Sequence, residues 1–360
     1  MWSMSSSRRR RGAVALLLLL LTVAGRATAQ EASESDGRTR DQLWEPTAPI
    51  AFALRFDRRA VFGDRDTTST KEYPATLTWS DSTGAARAMP VRLRTRGHFR
   101  RLSRNCTTPP LRLLFDKAEV KGTPFTGQRT LKLVTACRSG EKYDEYVRRE
   151  YAVYRVHRQL TDWSFGARLA TVTYVDSARD GQTEVRPGML LERDDDVGAR
   201  HGTKVWGSKG TPRMSDTEPD LTALTALFLY FVGNTDWSLP AQHNITLFSD
   251  TTLTLYPAAY DFDWSGIVDT DYAFPDSRLP IRSVRERLYR GPCRSPEDFA
   301  PAFARFRTQR PAIEAVYTGE SGLSPAYVRA TLKYIDDFYR TLENAGRWRA
   351  EMERSCVKDR

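Results

Sequence analysis

Between residues 49 and 192 the apolar positions recur at every second residue or in short β-branched runs: PIAFALRFDR (49–58), YPATLTW (73–79), MPVRLRTR (89–96), PLRLLFD (110–116), RTLKLVTA (129–136), RLATVTYV (168–175) and RPGMLLE (186–192). A period of two places alternate side chains on opposite faces of a strand, and turn formers such as Asp81-Ser82-Thr83-Gly84 separate the runs, so the pattern predicts an antiparallel sheet. One segment breaks this rhythm. YDEYVRREYAVYRVHRQL (143–160) carries Val147, Tyr151 and Tyr154 at helical spacing. After Asp194-Asp195-Asp196 the spacing changes for good. PDLTALTALFLYFV (219–232) reads as an apolar helix opened by proline, residues 253–260 as one more strand, and Ser324 to about Glu353 as a long helix with Val328, Leu332, Ile335, Phe338 and Leu342 on one face. A sheet with one helix followed by a mainly helical half predicts an α+β protein, with an N-lobe over 46–192, a C-lobe over 193–360 and a crevice between them.

The first residues follow a different logic. Arg8 to Arg11 lead into an apolar core from Ala13 to Leu21, and Ala27-Thr28-Ala29 has the small-x-small form of a cleavage site, so residues 1–29 read as a signal peptide cut after Ala29. The apolar core is shorter than the ~20 residues needed to span a bilayer, and no later stretch reaches that length. Residues 30–45, beginning QEASESDGRTRDQ, read as a flexible, solvated leader. Loss of Arg8, Arg9, Arg10, Arg11 and Arg26 lowers the net charge from +10 to +5. The remaining lysines and arginines are scattered, which argues against nucleic acid as a partner. An exported protein, periplasmic or secreted and without an integral membrane segment after cleavage, is the expectation. All four cysteines lie in the exported part, and pairing within each half joins Cys106 to Cys137 and Cys293 to Cys356. No CxxC spacing supports a metal there instead.

The chemistry concentrates in GNTDWSLPAQHNITLF (233–248) and YDFDWSG (260–266). Carboxylates among apolar neighbours need a partner. In an extended run Asp261 and Asp263 share a face while Tyr260 and Phe262 anchor the other, and two such acids suit Mg²⁺ or Mn²⁺ with an oxygen of Asn244 as a further ligand. Asp236, just beyond the apolar helix, is placed to accept a proton from a nucleophile near that ion. Each residue also has a local use: Asp236 as a cap, Asn244 as a turn former, Asp263 as an arginine partner. His243 carries no assigned role.

GNTDW, the following HN and YDFDWSG together resemble the catalytic segment of the CotH-type atypical protein-kinase-like family, with HipA-like and lipid-kinase-like proteins as more distant relatives. RTRGHFRR (94–101) is similar to the RGNSS-type element of CotH proteins, and GMLLE (188–192) to the strand that enters the hinge between kinase lobes. The resemblance implies a two-lobe protein-kinase-like fold, with an antiparallel-sheet N-lobe and a mainly helical C-lobe. It implies Asp236 as the catalytic residue and Asn244, Asp261 and Asp263 as metal ligands. Lys132, paired with Glu150 of the following helix, and Glu192 would hold the nucleotide, although the inward-facing Glu150 has Arg96 or Arg101 as an alternative partner. The implied activity is transfer of the γ-phosphoryl of ATP, with Mg²⁺ or Mn²⁺, to a protein or a small hydroxyl-bearing acceptor. Two other functions fit the same residues: a non-catalytic binding or envelope-assembly protein, and a two-carboxylate or metal-assisted hydrolase with Asp236 and Asp261 flanking the scissile bond.

Overall fold

Alternating burial along the first strands follows the alternating sequence. In β1 (Ile50–Phe56) the residues Ile50, Phe52, Leu54 and Phe56 are buried, and in β3 (Ala86–Thr95) Met89, Val91, Leu93 and Thr95. The computed structural model describes residues 43–45, 48–179, 181–207 and 210–358. The signal-peptide reading, and the leader up to residue 42, lie outside the described residues. Leu43 and Trp44, at the end of the expected leader, are buried against the first core.

The expected kinase-like two-lobe fold, with its antiparallel-sheet N-lobe, does not form. β1, β2 (Tyr73–Ser80), β3, β4 (Leu111–Leu114), β5 (Thr130–Thr135), β6 (Ala167–Asp176) and β7 (Thr183–Leu191) close into a barrel in the order β1-β2-β3-β4-β5-β7-β6. Closure comes from β1 running parallel to β6, with Ile50 opposite Ala170 and Phe56 opposite Asp176; every other barrel pairing is antiparallel. A barrel has no free sheet edge, and its interior here is a packed apolar core that includes Phe52, Leu54, Leu93, Leu113, Leu133 and Val172.

Two short helices decorate this part: α1 (Arg58–Gly63), capped by the Asp57 carboxylate on the Ala60 N–H, and a 3₁₀ turn at Phe99–Arg101. The periodic segment forms α2 (Glu141–Leu160), which inserts between β5 and β6 in sequence and buries Tyr146, Val147, Glu150, Tyr151 and Tyr154, among others. Val147, Tyr151 and Tyr154 join a second and larger core shared with the C-terminal half.

That half contains α3 (Asp194–Arg200), α4 (Pro219–Val232), α5 (Ala300–Gly319), α6 (Pro325–Leu342) and α7 (Ala345–Ser355), with a small sheet of β8 (Lys204–Val205), β9 (Ile245–Ser249) and β10 (Leu255–Ala259). α4 begins at the expected proline and ends at Gly233, in the left-handed region at φ 68°. The expected final helix is divided. The helix ends at Leu342, and Asn344 starts the next one by accepting the Arg347 N–H with its side chain.

Both disulfides form as paired within halves, Cys106–Cys137 and Cys293–Cys356, spanning 31 and 63 residues. Loops of this length restrict the unfolded chain. Replacing Cys293 and Cys356 together by serine is expected to cost about 3 kcal/mol of unfolding free energy. A denaturant midpoint unchanged from that of the native protein would contradict this. No helix among the described residues is long and apolar enough to cross a membrane.

Candidate active site at the hairpin ends

Two glycines set the geometry. The N–H of Gly266 donates to the Gly233 carbonyl at 3.0 Å, and that of Ile267 to Val232 at 2.9 Å. A Cβ at Gly233 would run into the Tyr334 hydroxyl, and one at Gly266 into the Val284 carbonyl. The two sequence motifs are therefore joined backbone to backbone, which is why each carries a glycine.

Beyond Gly233 the chain turns out of the core. The Asp236 N–H donates to the Asn234 side-chain oxygen at 2.9 Å, and Trp237 and Leu239 return to the interior. Ser238 and His243 exchange both backbone hydrogen bonds, at 3.0 and 2.9 Å, closing the intervening residues into a tight loop. This loop brings His243 and Asn244 back to Asp236. The Asn244 amide nitrogen donates to the Asp236 carbonyl at 2.6 Å and to its Oδ2 at 3.1 Å, while His243 Nε2 stands 3.1 Å from Oδ1. His243 thus has a place beside the proposed base.

β9 starts at Ile245 and pairs with the end of β10 at Ala259, and the next contact outward is the Tyr260 N–H on the Asn244 carbonyl at 3.1 Å. Asn244 and Asp261 therefore stand together at the open end of one hairpin, before β9 and after β10. Both are left-handed, at φ 54° and 62°, a conformation that Asn and Asp tolerate better than other non-glycine residues and that concentrates at functional sites. The strand stops at Ala259, so the expected strand over 253–260 is shorter and Asp261 and Asp263 are not strand neighbours on one face. Phe262 is the anchor, fully buried against Tyr154 and Phe228. Tyr154 also accepts the Asp261 N–H at 2.9 Å.

The carboxylates act on one another. Asp263 is buried and accepts a hydrogen bond from the Tyr272 hydroxyl at 3.1 Å; burial and then the charges of Asp261 and Asp236, opposed by Arg100, push its pKa up to about 7. Glu150 faces inward as its helix position predicts, and burial together with Asp263 and Asp261 raises it well above the usual carboxylate range, with Arg100 and Arg96 pulling the other way. Asp261 is exposed and Asp236 half-exposed.

The three residues expected to hold the nucleotide take different partners. Lys132 does not pair with Glu150: its ammonium lies 3.2 Å from Asp194, which also accepts from Thr246, and sits over the rings of Tyr260 and Phe165. Glu150 instead feels Arg96 and Arg100. Arg101, its other expected partner, is buried on Asp64 at 3.1 Å. Glu192 is occupied by the Gly166 N–H at 2.7 Å and by Arg200 at 3.1 Å. RTRGHFRR thus supplies two arginines to the carboxylates because Gly97, at φ 81°, ends β3 and turns the chain into the 3₁₀ turn. The sequence signals the motif but not that Arg96 and Arg100 turn inward, and nothing in it singles out Tyr272.

Among the described residues no group of three or more His, Cys, Asp or Glu side chains is set for a metal ion. The donor chemistry still fits a hard divalent cation. No described donor hydrogen-bonds the Asp261 carboxylate or the Asn244 amide oxygen, and Mg²⁺ commonly takes one or two carboxylates and completes its shell with phosphate oxygens and water. Beside Asp236 opens a groove of about 610 Å³ lined by residues that include His243, Trp264, Phe274, Arg278 and Arg290.

No family model matches the chain, and no curated protein is significantly similar to it.

Proposed function

We propose that this is an exported phosphotransferase that moves the γ-phosphoryl of ATP to a hydroxyl-bearing acceptor. The observation that carries the reading is the hairpin end: Asn244 and Asp261, both left-handed, flank one strand pair, and Asn244 together with His243 holds the half-exposed Asp236. The resemblance of residues 233–266 to the CotH-type catalytic segment points the same way, and the paired cysteines agree with export.

Bound Mg²⁺ or Mn²⁺, held by Asp261 and Asn244 with Asp263 behind, would neutralise the phosphate oxygens. Asp236 does the proton chemistry. An acceptor in the groove presents its hydroxyl to a carboxylate oxygen of Asp236, which takes the proton as the acceptor oxygen bonds to the γ-phosphorus and the bond to the β–γ bridging oxygen breaks. Asn244 and His243 fix the carboxylate, so it need not reorganise during transfer.

Thermal unfolding tests this directly. ATP with Mn²⁺ is expected to raise the melting temperature by a few degrees at ligand concentrations about a hundredfold above Kd. Asp261→Ala is expected to remove the increase. An undiminished shift in that variant would take Asp261, and with it the metal site, out of the account.

A further inference from the structure

We infer that the outer face of the barrel beside these carboxylates is a polyphosphate site, formed by Arg94, Arg112 and Lys132 with Arg96 at its inner end. Strand register places the first three in one row. Arg94 on β3 is directly opposite Arg112 on β4, and Arg112 is directly opposite Lys132 on β5. Their neighbours Leu93, Thr95, Leu111, Leu113, Leu131 and Leu133 are all buried, so alternation turns the cations to the outside.

Three like charges side by side across about 10 Å, two strand spacings, destabilise a sheet unless something neutralises them. The protein supplies little. Asp194 reaches Lys132 at 3.2 Å and its charge also acts on Arg112, but no carboxylate among the described residues forms an ion pair with Arg94 or Arg112. Arg193 adds further positive charge to the neighbourhood of Arg112. The Nε of Arg96 is enclosed without a hydrogen-bond partner, and the charge of Arg96 is felt by Lys132 and Arg112 as well as coupled to that of Asp261. Lys132 lies 5.4 Å from the ring of Tyr260, the residue before Asp261.

A linear run of phosphates matches a linear run of cations, and guanidinium forks bind phosphate oxygens in pairs. A single small anion would leave part of the row uncompensated. If the phosphotransfer reading holds, the row carries the triphosphate and delivers its end to Asp236; the row itself stands on register and charge alone.

Titration calorimetry on the purified protein separates the possibilities, using tripolyphosphate, ATP, adenosine, phosphate and sulfate at matched ionic strength. Tripolyphosphate and ATP are expected to bind far more tightly than phosphate or sulfate. Tighter binding of ATP than of tripolyphosphate would identify a nucleotide as the source, and equal binding a polyphosphate chain; both support the row. Arg94→Gln combined with Arg112→Gln is expected to weaken both ligands about 100-fold. Without ligand the same variant is expected to melt higher than the native protein, because like-charge repulsion is relieved, which also shows that it folds. Equal weak binding of all anions, unchanged in the variant, would mean an adventitious ion only and overturn the site. So would adenosine binding as tightly as ATP, or ATP binding that survives the double substitution, which would leave the phosphotransfer reading untouched. Tripolyphosphate binding lost in the variant, with no ATP turnover by the native protein, would keep the site and remove the phosphotransfer reading.

Discussion

Asp236→Asn is expected to slow metal-dependent ATP turnover by about 10²–10⁴-fold, the usual contribution of a positioned general base. The melting temperature should barely move, because the side chain is 40% exposed and asparagine preserves its shape. KM for ATP should also hold, since the role proposed for the lost group is at the acceptor and not at the phosphates. Turnover and melting measured on one preparation check this. Equal turnover in the variant and the native protein would mean that Asp236 is a loop-holding residue, secured by Asn244 and His243 for structural reasons alone.

Asp263→Asn is expected to make the protein more stable above neutrality. The folded pKa of Asp263, about 7, is raised from 3.8 by burial and by Asp261. A carboxyl that is harder to ionise in the folded state binds protons there that the unfolded chain has already released, so its contribution to stability falls as pH rises from about 4 to about 7 and stays low beyond. The size of that loss is about 4 kcal/mol at pH 8. Asparagine removes the charge while keeping the volume. The variant should therefore melt well above the native protein at pH 8 and converge with it near pH 4. Melting curves across this range decide it. A variant less stable at pH 8 would show that Arg100 gains more from Asp263 than burial and repulsion take away. On the proposed metal site the same substitution should also weaken Mn²⁺ binding, which would explain why a destabilising group is kept in place.

How far the sequence reaches depends on whether the cause is local. Helical spacing alone placed 143–160 within Glu141–Leu160, and the proline at 219 located the start of Pro219–Val232. Pairing the cysteines within halves was enough to join them correctly. Barrel closure was not available in this way, because alternation marks strands and faces but not partners, and the parallel pairing of β1 with β6 is a long-range choice. The helix at Ala300–Gly319 escaped because Pro311 lies inside it and its apolar positions are weakly patterned. β9 was concealed within the motif segment itself, so the hairpin that sets Asn244 against Asp261 went unseen. Of the site, the acids were visible as residues. Their counter-charges were not, since Lys132 and Glu150 both face plausible partners in sequence, and only the fold sends one to Asp194 and the other towards Arg96 and Arg100.

The seam between β1 and β6 has a consequence for biogenesis. Ile50 waits for Ala170, 120 residues further along the chain. In a polypeptide that emerges N-terminus first, the first strand stays unpaired on one side while most of the barrel is made. Its hydrogen-bonding groups and its apolar residues are then open to other nascent copies. The yield of folded protein should consequently depend on how quickly the region up to Asp176 follows, and a holding chaperone would matter more for this chain than for one whose sheet is assembled from consecutive hairpins.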